Sequence, residues 1–299
     1  MKNILVLGGT GFVGHHLCKE LVRLQQHVTV PTRDISRARE LRSLPSVKLV
    51  QADVHDPAAL ARLMPGHDAV VNLIAILHGN SVEFERTHVE LVKKITRACE
   101  NCGVRRVVHV SALGAAKDAP SMYQRSKAKG EEALQSSTLD WTVLRPSVIF
   151  GKGDRFLTLF AQLQAVMPIM PLAGADTLFQ PVWVGDVVSA IVQCVQRDDT
   201  AGRTFEICGP DRFTLRQLVK VAGSVSGHVR PVIGLPKVLA QLQAFIMELA
   251  PGQPLMSRDN LDSMKVDNVA SGSLPGLDAL GISPSALRDI APTYLGRQF

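Results

Sequence analysis

Asn3-Ile4-Leu5-Val6-Leu7-Gly8-Gly9-Thr10-Gly11-Phe12-Val13-Gly14 is the stretch that decides the fold. A four-residue apolar run, Ile4–Leu7, ends abruptly in glycines, and an amphipathic pattern starting at Gly11 follows. The run reads as a buried strand and the pattern as a helix. The glycine spacing is G-x-x-G-x-x-G, a variant of the dinucleotide fingerprint. Gly8 permits a tight turn, Gly11 admits a pyrophosphate close to the backbone, and Gly14 lets helix and strand pack closely. The open N–H groups and positive dipole end of the helix then face the phosphates. Thr10, Phe12 and Val13 complete the loop.

Working outward, further strands are expected at His27–Pro31, Val47–Gln51, Ala69–Leu73, Arg106–Val110 and Trp141–Arg145. Helical patterns fall between them, at Gly11–Leu24, Arg37–Arg42, Ala58–Leu63, Glu83–Asn101 and Ser121–Gln135. Alternation of this kind builds a parallel sheet covered on both faces, an α/β doubly wound (Rossmann-type) architecture. After about Gly151 the alternation loosens into helices joined by Pro/Gly loops. Residues 1–150 are therefore expected to form the dinucleotide-binding domain. Residues 151–299 are expected to form a smaller α/β substrate lobe over the carboxyl edge, with some segments returning to the core.

The chain has 299 residues, 46% apolar and 20% charged, which excludes disordered and fibrous classes. Lys+Arg exceeds Asp+Glu by 33 − 27 = 6, and the excess is scattered. With only 5% aromatics, this disfavours a nucleic-acid surface. Five cysteines, an odd number, suggest free thiols in a reducing, cytoplasmic setting. Only Ile4–Leu7 precede the first glycines, too few for a secretory leader. The uncharged run Phe156–Ala175 carries two prolines and two glutamines, so it is expected to be a buried helix plus loop and not a transmembrane segment. Cys99 and Cys102 form a C-x-x-C with no second pair, and the histidines show no ligand spacing, so no metal is expected. The apolar face of Leu239–Leu249 reads as core or pocket wall, with a partner or peripheral membrane contact as the alternative.

Strand ends then supply cofactor positions. Arg33 closes the second strand and can fork onto a ribose 2′-phosphate. Asp34 beside it keeps a 2′-hydroxyl partner available, and Arg37 and Arg39 add positive charge. NADP(H) is favoured over NAD(H). Asp53, followed by Val54, ends the third strand and can accept from an adenine amino group. Leu73, Ile74 and Ala75 end the fourth and pass the nicotinamide side. The candidate catalytic set is Ser111, Tyr123 and Lys127. Tyr123 and Lys127 stand four apart on one helix, sharing a face. An ammonium near the phenol is expected to lower its pKa, and Lys127 can also hold the nicotinamide ribose. Ser111, ending the fifth strand, can anchor a substrate oxygen.

These residues resemble the short-chain dehydrogenase/reductase superfamily, in its extended or atypical, epimerase/dehydratase-like branch. Three further stretches narrow the resemblance: Leu144–Gly151, Gly153–Leu157 and Gln180–Val187. Together with the tail Leu255–Gly272, they are similar to the NAD(P)-binding accessory-subunit family of respiratory complex I and its bacterial relatives. The resemblance covers essentially the whole chain. It implies tight NADP(H) binding, with Pro146 and Val148 near the nicotinamide. It also implies association with quinone or a respiratory complex, peripheral at the inner membrane. Many relatives carry an Asn on the fourth helix, where this chain reads Arg86-Thr87-His88-Val89. Three functions are open: an oxidoreductase or epimerase using Tyr123, a non-catalytic NADP(H)-holding accessory or assembly protein, and a redox-sensing regulator.

Overall fold

The computed structural model describes residues 1–249 and 254–296; of Arg37 only the backbone is described. Seven parallel strands form the central sheet. Six follow the expected order: β1 (Asn3–Leu7), β2 (His27–Thr32), β3 (Val47–Gln51), β4 (Ala69–Asn72), β5 (Arg106–Val110) and β6 (Asp140–Pro146). The seventh is Arg203–Ile207, and the spatial order is Arg203–Ile207, β6, β5, β4, β1, β2, β3. The chain winds outward from β1 to β3, then returns to start again at β4, so the topology reverses between β1 and β4. Their register, Ile4 opposite Ala69 through Leu7 opposite Asn72, brings both carboxyl ends to one level. Crevices at such reversals bind ligands in open α/β sheets.

Strand pleating splits each strand between two cores. Ile4 and Val6 join one cluster with Leu17, Leu21, Val187 and Ile191, while Leu5 and Leu7 join the other with Leu60, Val92 and Ile95. Each fully buried aliphatic side chain contributes about 1.5–3 kcal/mol to this layering.

The strand Arg203–Ile207 is one of the segments that return to the core: it extends the main sheet, pairing in parallel with β6 from Arg203 opposite Thr142 to Ile207 opposite Pro146. The helix Val184–Gln196 returns with it. Its buried Val184, Val187, Val188, Ile191 and Val195 form a stripe at helical spacing against that sheet. The buried Arg106 guanidinium ties this return together, donating to Cys194 O, Thr142 Oγ1 and Thr200 Oγ1.

The pattern over Glu83–Asn101 also resolves differently. Ser81–Phe84 is a helical turn opened by an Asn80–Glu83 capping box. Glu85–Glu90 is π-helical, and Leu91–Cys102 continues as α-helix to a left-handed Gly103. The wider turn sits where His88 lies, and π-bulges recur at functional sites.

A third core, around Phe150, Leu157, Met170, Phe213 and Leu218, holds the remaining segments over the carboxyl edge. Three two-stranded pairs brace it: Ile149–Phe150 with Val182–Trp183, Leu178–Phe179 with Phe213–Thr214, and Met170–Leu172 with Val232–Gly234. The uncharged run becomes the helix Leu157–Val166 followed by the strand Met170–Leu172. Among the described residues no helix is long and apolar enough to cross a membrane. All five cysteines are free; Cys99 packs its sulfur on Met64 and Cys102 faces Ala61 O.

Candidate functional site

The glycine loop is shaped by contacts that exclude side chains. Gly8 adopts φ +85°, and its carbonyl accepts from Gly11 N–H at 3.0 Å. A Cβ on Gly14 would run into the Gly8 carbonyl oxygen and the Gly9 backbone. Gly11 is exposed and caps the helix Phe12–Arg23 without any side-chain cap, and no acidic residue occupies the first turn. The first N–H groups of that helix are thus open towards the crevice, as an anion cradle requires. Leu73 and Ile74 press directly on Gly8, within 3.2 Å of where its Cβ would be, so the ends of β1 and β4 form one wall. On the other side, Phe12 lies below Gly153, and His16 Nε2 contacts Lys152 O at 3.0 Å.

The ribose-side candidates sit just past the ends of the neighbouring strands β2 and β3. Arg33 is exposed just beyond β2, and its charge reaches His55. Asp34 accepts from both Ser36 N–H (2.9 Å) and Ser36 Oγ (2.6 Å), capping the short helix Ile35–Ala38. That use competes with a ribose hydroxyl. Asp53 is exposed and accepts from His55 N–H at 3.0 Å through one oxygen; Val54 beneath it is buried. Pro146 ends β6 and its carbonyl accepts from Leu113 N–H at 2.9 Å, just past Ser111. Val148 O accepts from Val182 N–H, and Ser147 Oγ donates to Asn268 Oδ1 at 2.6 Å, which fixes this loop to the tail.

Ser111 follows the end of β5, its N–H donating to Leu144 O at 2.7 Å. Its Oγ is buried and has no partner among the described residues. Lys127 is 2% exposed, and its Nζ donates to Val110 O at 3.0 Å. Burial strips water from the ammonium and lowers its pKa to about 8, partly opposed by the Glu131 carboxylate. Glu131 is itself held by Arg145, at 2.5 and 3.0 Å. The expected lowering of the Tyr123 phenol is not found. Burial pushes it up to about 12, and Lys127 is turned to a backbone carbonyl instead.

Several residues of this site were not foreseen. Asp259 reaches across from the C-terminal segment and accepts from Met122 N–H (2.6 Å) and Tyr123 N–H (3.0 Å). With Ser121 Oγ accepting from Gln124 N–H, it completes the N-terminal cap of the helix that carries Tyr123 and Lys127. In the sequence it lies within the tail Leu255–Gly272, with no local sign of this role. Asn72, ending β4, accepts from Ile74 N–H and offers its amide to His109 Nδ1 at 3.1 Å. The His109 proton then lies on Nε2, which is buried without a partner among the described residues.

His88 joins the two halves of the site. Its Nε2 accepts from Ile76 N–H at 3.1 Å, so Nδ1 carries the proton and donates to Ser126 Oγ at 2.7 Å. Ser126 Oγ in turn donates to Tyr123 O at 2.7 Å. The ring stacks on Phe84 and meets the Tyr123 ring edge-on at 5.5 Å. Burial, with Lys127 nearby, lowers its pKa to about 3. The unfolded chain therefore takes up a proton from about pH 6.5 downward, and the folded chain refuses it until about pH 3. Stability is expected to fall through that window, by on the order of 5 kcal/mol in all from this group. Urea unfolding of His88→Gln is expected to show a shallower slope with pH there, by about one proton. An unchanged slope would mean that His88 is not held neutral.

A cleft of about 1320 Å³ opens at the N-terminal end of the helix Met122–Gln135, lined among others by His78, Met122, Arg125, Lys237 and Asp259. Met122 and Arg125, on the helix of Tyr123 and Lys127, line that cleft, while Gly8–Gly14, Ser111, Tyr123 and Lys127 are not among its lining residues.

A family model described as NAD(P)H-binding matches residues 8–156. The mouse mitochondrial NADH dehydrogenase [ubiquinone] 1 alpha subcomplex subunit 9 is 32% identical over 289 residues, covering 94% of this chain and 76% of that protein. Ceramide reductase of Caulobacter vibrioides is 26% identical over 78% of this chain and 73% of that protein. A solved nucleoside-diphosphate-sugar epimerase of Staphylococcus aureus superposes with a TM-score of 0.79 at 17% identity, over 97% of this chain and 99% of that one. The fold, the glycine cradle and these matches agree: the chain belongs to the NAD(P)H-binding family of extended short-chain dehydrogenase/epimerase fold that includes the alpha subcomplex subunit 9 proteins of complex I.

Proposed function

We propose that this chain is an NADP(H)-dependent oxidoreductase acting at a carbonyl or hydroxyl carbon, with Ser111, Tyr123 and Lys127 as its catalytic residues. The observation that carries this reading is the buried, unpartnered Ser111 Oγ next to the strand end that Lys127 binds. A buried hydroxyl without a partner is costly, and a substrate oxygen satisfies it. The cofactor fits the chain: the Gly8–Gly14 cradle takes a pyrophosphate, Arg33 a 2′-phosphate, Asp53 the adenine, and Leu73–Ala75 with Pro146 and Val148 the nicotinamide side. A bound nicotinamide supplies or accepts the hydride. Ser111 Oγ donates to the substrate oxygen and orients it. Tyr123 passes its phenolic proton to that oxygen as negative charge gathers there. The Lys127 ammonium stabilises the phenolate left behind and holds the ribose.

A second reading is favoured by the relatives. Residues matched over nearly the whole chain belong to proteins named as subunits of ubiquinone-linked NADH dehydrogenase. In it, the chain holds NADP(H) without turnover as an accessory or assembly protein of a respiratory complex, peripheral at the inner membrane on the cytoplasmic side. The cofactor then stabilises the native state.

Native mass spectrometry of the purified chain, followed by titration with NADPH and NADH, tests the part common to both. NADPH is expected to bind more tightly, and Arg33→Ala to weaken it by about 10–100-fold while leaving NADH nearly unchanged. Equal affinities in the wild type would remove NADP(H) from the proposal. Turnover of carbonyl or quinone substrates by the NADPH-loaded chain separates the first reading from the second.

A further inference from the structure

The helix Lys237–Leu249 is turned the opposite way from a core helix. Its buried residues are Ala240 and Ala244 alone. Val238 (77% exposed), Leu242 (53%), Phe245 (44%), Ile246 (59%) and Leu249 (70%) face solvent together with Leu239. At 3.6 residues per turn these six occupy an arc of roughly 120°, opposite the two alanines. The polar Lys237, Gln241 and Glu248 lie on a third side and line the cleft. In the segments before it, Val229 and Ile233 are exposed at 61% and 51%. Ile169, next to the strand paired with Val232–Gly234, is exposed too.

We propose that this face docks on the surface of an anionic lipid bilayer. The choice of occupant rests on composition and charge. Protein interfaces are specified by Tyr, Trp and Arg anchors with hydrogen-bonding groups among them. The exposed arc holds aliphatic residues and one Phe, with no hydrogen-bonding side chain. A bilayer asks only for apolar area and positive charge beside it. Residues 213–249 carry four cations, Arg216, Lys220, Arg230 and Lys237, against the single anion Glu248; Arg216 is paired with Asp176 at 3.3 Å, so the positive excess rests on Lys220, Arg230 and Lys237. Glu248 is answered by Arg258 at 2.8 Å, and the same guanidinium lies over the Phe245 ring. Thirteen residues make a helix about 20 Å long, shorter than the roughly 30 Å hydrocarbon core. The helix therefore lies in the interface and does not span it. Docked this way, the helix keeps its cleft-lining side, with Lys237, Gln241 and Glu248, turned away from the lipid.

Vesicle flotation of the full chain tests this, with phosphatidylcholine vesicles and with vesicles that also contain phosphatidylglycerol. The wild type is expected to float with the anionic vesicles, and less so as salt rises. The double variant Leu242→Glu with Ile246→Glu is expected to bind about tenfold less or weaker still. An unchanged unfolding temperature in that variant shows the loss to be local, since both side chains are already in water. Failure of the wild type to float with either vesicle overturns the proposal, as does undiminished flotation of the variant. Equal flotation with both vesicle types overturns the anionic surface. A wild-type dimer that the substitutions split, without vesicle binding, assigns the face to a second copy instead.

Discussion

Tyr123→Phe is expected to lower turnover by about 10²–10⁴-fold while NADPH affinity stays within about threefold of wild type. The substitution removes one hydroxyl and keeps the ring that packs edge-on against His88 and Phe84. Local packing and the Asp259 cap on the Tyr123 backbone N–H are untouched, so the variant should fold. Direction matters as well. A phenol held at about 12 stays protonated at neutral pH, which suits proton donation during reduction of a carbonyl. The reverse oxidation needs a phenolate and should be slower until pH rises. Among Ser111, Tyr123 and Lys127 the group that titrates nearest neutrality is Lys127, which burial lowers to about 8. A basic limb in kcat/KM near that pH is assigned to it, and should persist in whatever activity Tyr123→Phe retains. Activity within about threefold of wild type in Tyr123→Phe would exclude the phenol as proton donor.

The parts of the fold legible in the sequence were those set by short-range pattern. Apolar runs such as Asn3–Leu7 and Arg106–Val110 are buried on both sides, so composition alone marks them as central parallel strands. The glycine loop was legible because steric exclusion at Gly8 and Gly14 leaves no other residue. What pattern did not reveal was set by distant partners. Nothing local in Arg203–Ile207 separates a lobe strand from a seventh sheet strand; the free edge of β6 decides it. Nothing near Asp259 shows that it caps a helix 136 residues earlier. The spacing of Tyr123 and Lys127 correctly puts them on one helix. It does not reveal that the Lys127 ammonium turns to Val110 O, so the expected effect on the phenol had the wrong sign. His88 was visible as a departure from the relatives, and its role needed the π-helical turn that aims it between Ile76 and Ser126.

That arrangement couples the two sides of the crevice. The β4 exit, which presses on Gly8 through Leu73 and Ile74, reaches the Tyr123 helix through Ile76 N–H, His88 and Ser126. Asp259 adds a second tie to the same helix from the cleft side. The main chain of Tyr123 is thus held from both sides, at its carbonyl by Ser126 and at its N–H by Asp259.

Gly14→Ala puts the cradle itself to the test. A methyl group there would stand 2.6 and 2.7 Å from Gly9 Cα and C, and closer still to the Gly8 carbonyl oxygen. These are backbone atoms of the turn, with no flexible side chain to swing aside, so the helix Phe12–Arg23 must move off β1. Alanine in a helix interior is otherwise worth about 0.5–1 kcal/mol over glycine. A net loss of about 2–4 kcal/mol in unfolding free energy is expected despite that gain. The helix N–H groups move with the helix, and NADPH affinity is expected to drop by about 100-fold or more. Gly66→Ala is the control. Gly66 has φ +80° with nothing within 4 Å of its Cβ position, so substitution there strains the backbone by about 1 kcal/mol and touches no ligand. Binding by Gly66→Ala should match wild type. If Gly14→Ala loses stability yet binds NADPH within a few-fold of wild type, the pyrophosphate does not rest on this helix. The open N–H groups at Gly11–Val13 would then need another anion to explain why no side chain caps them.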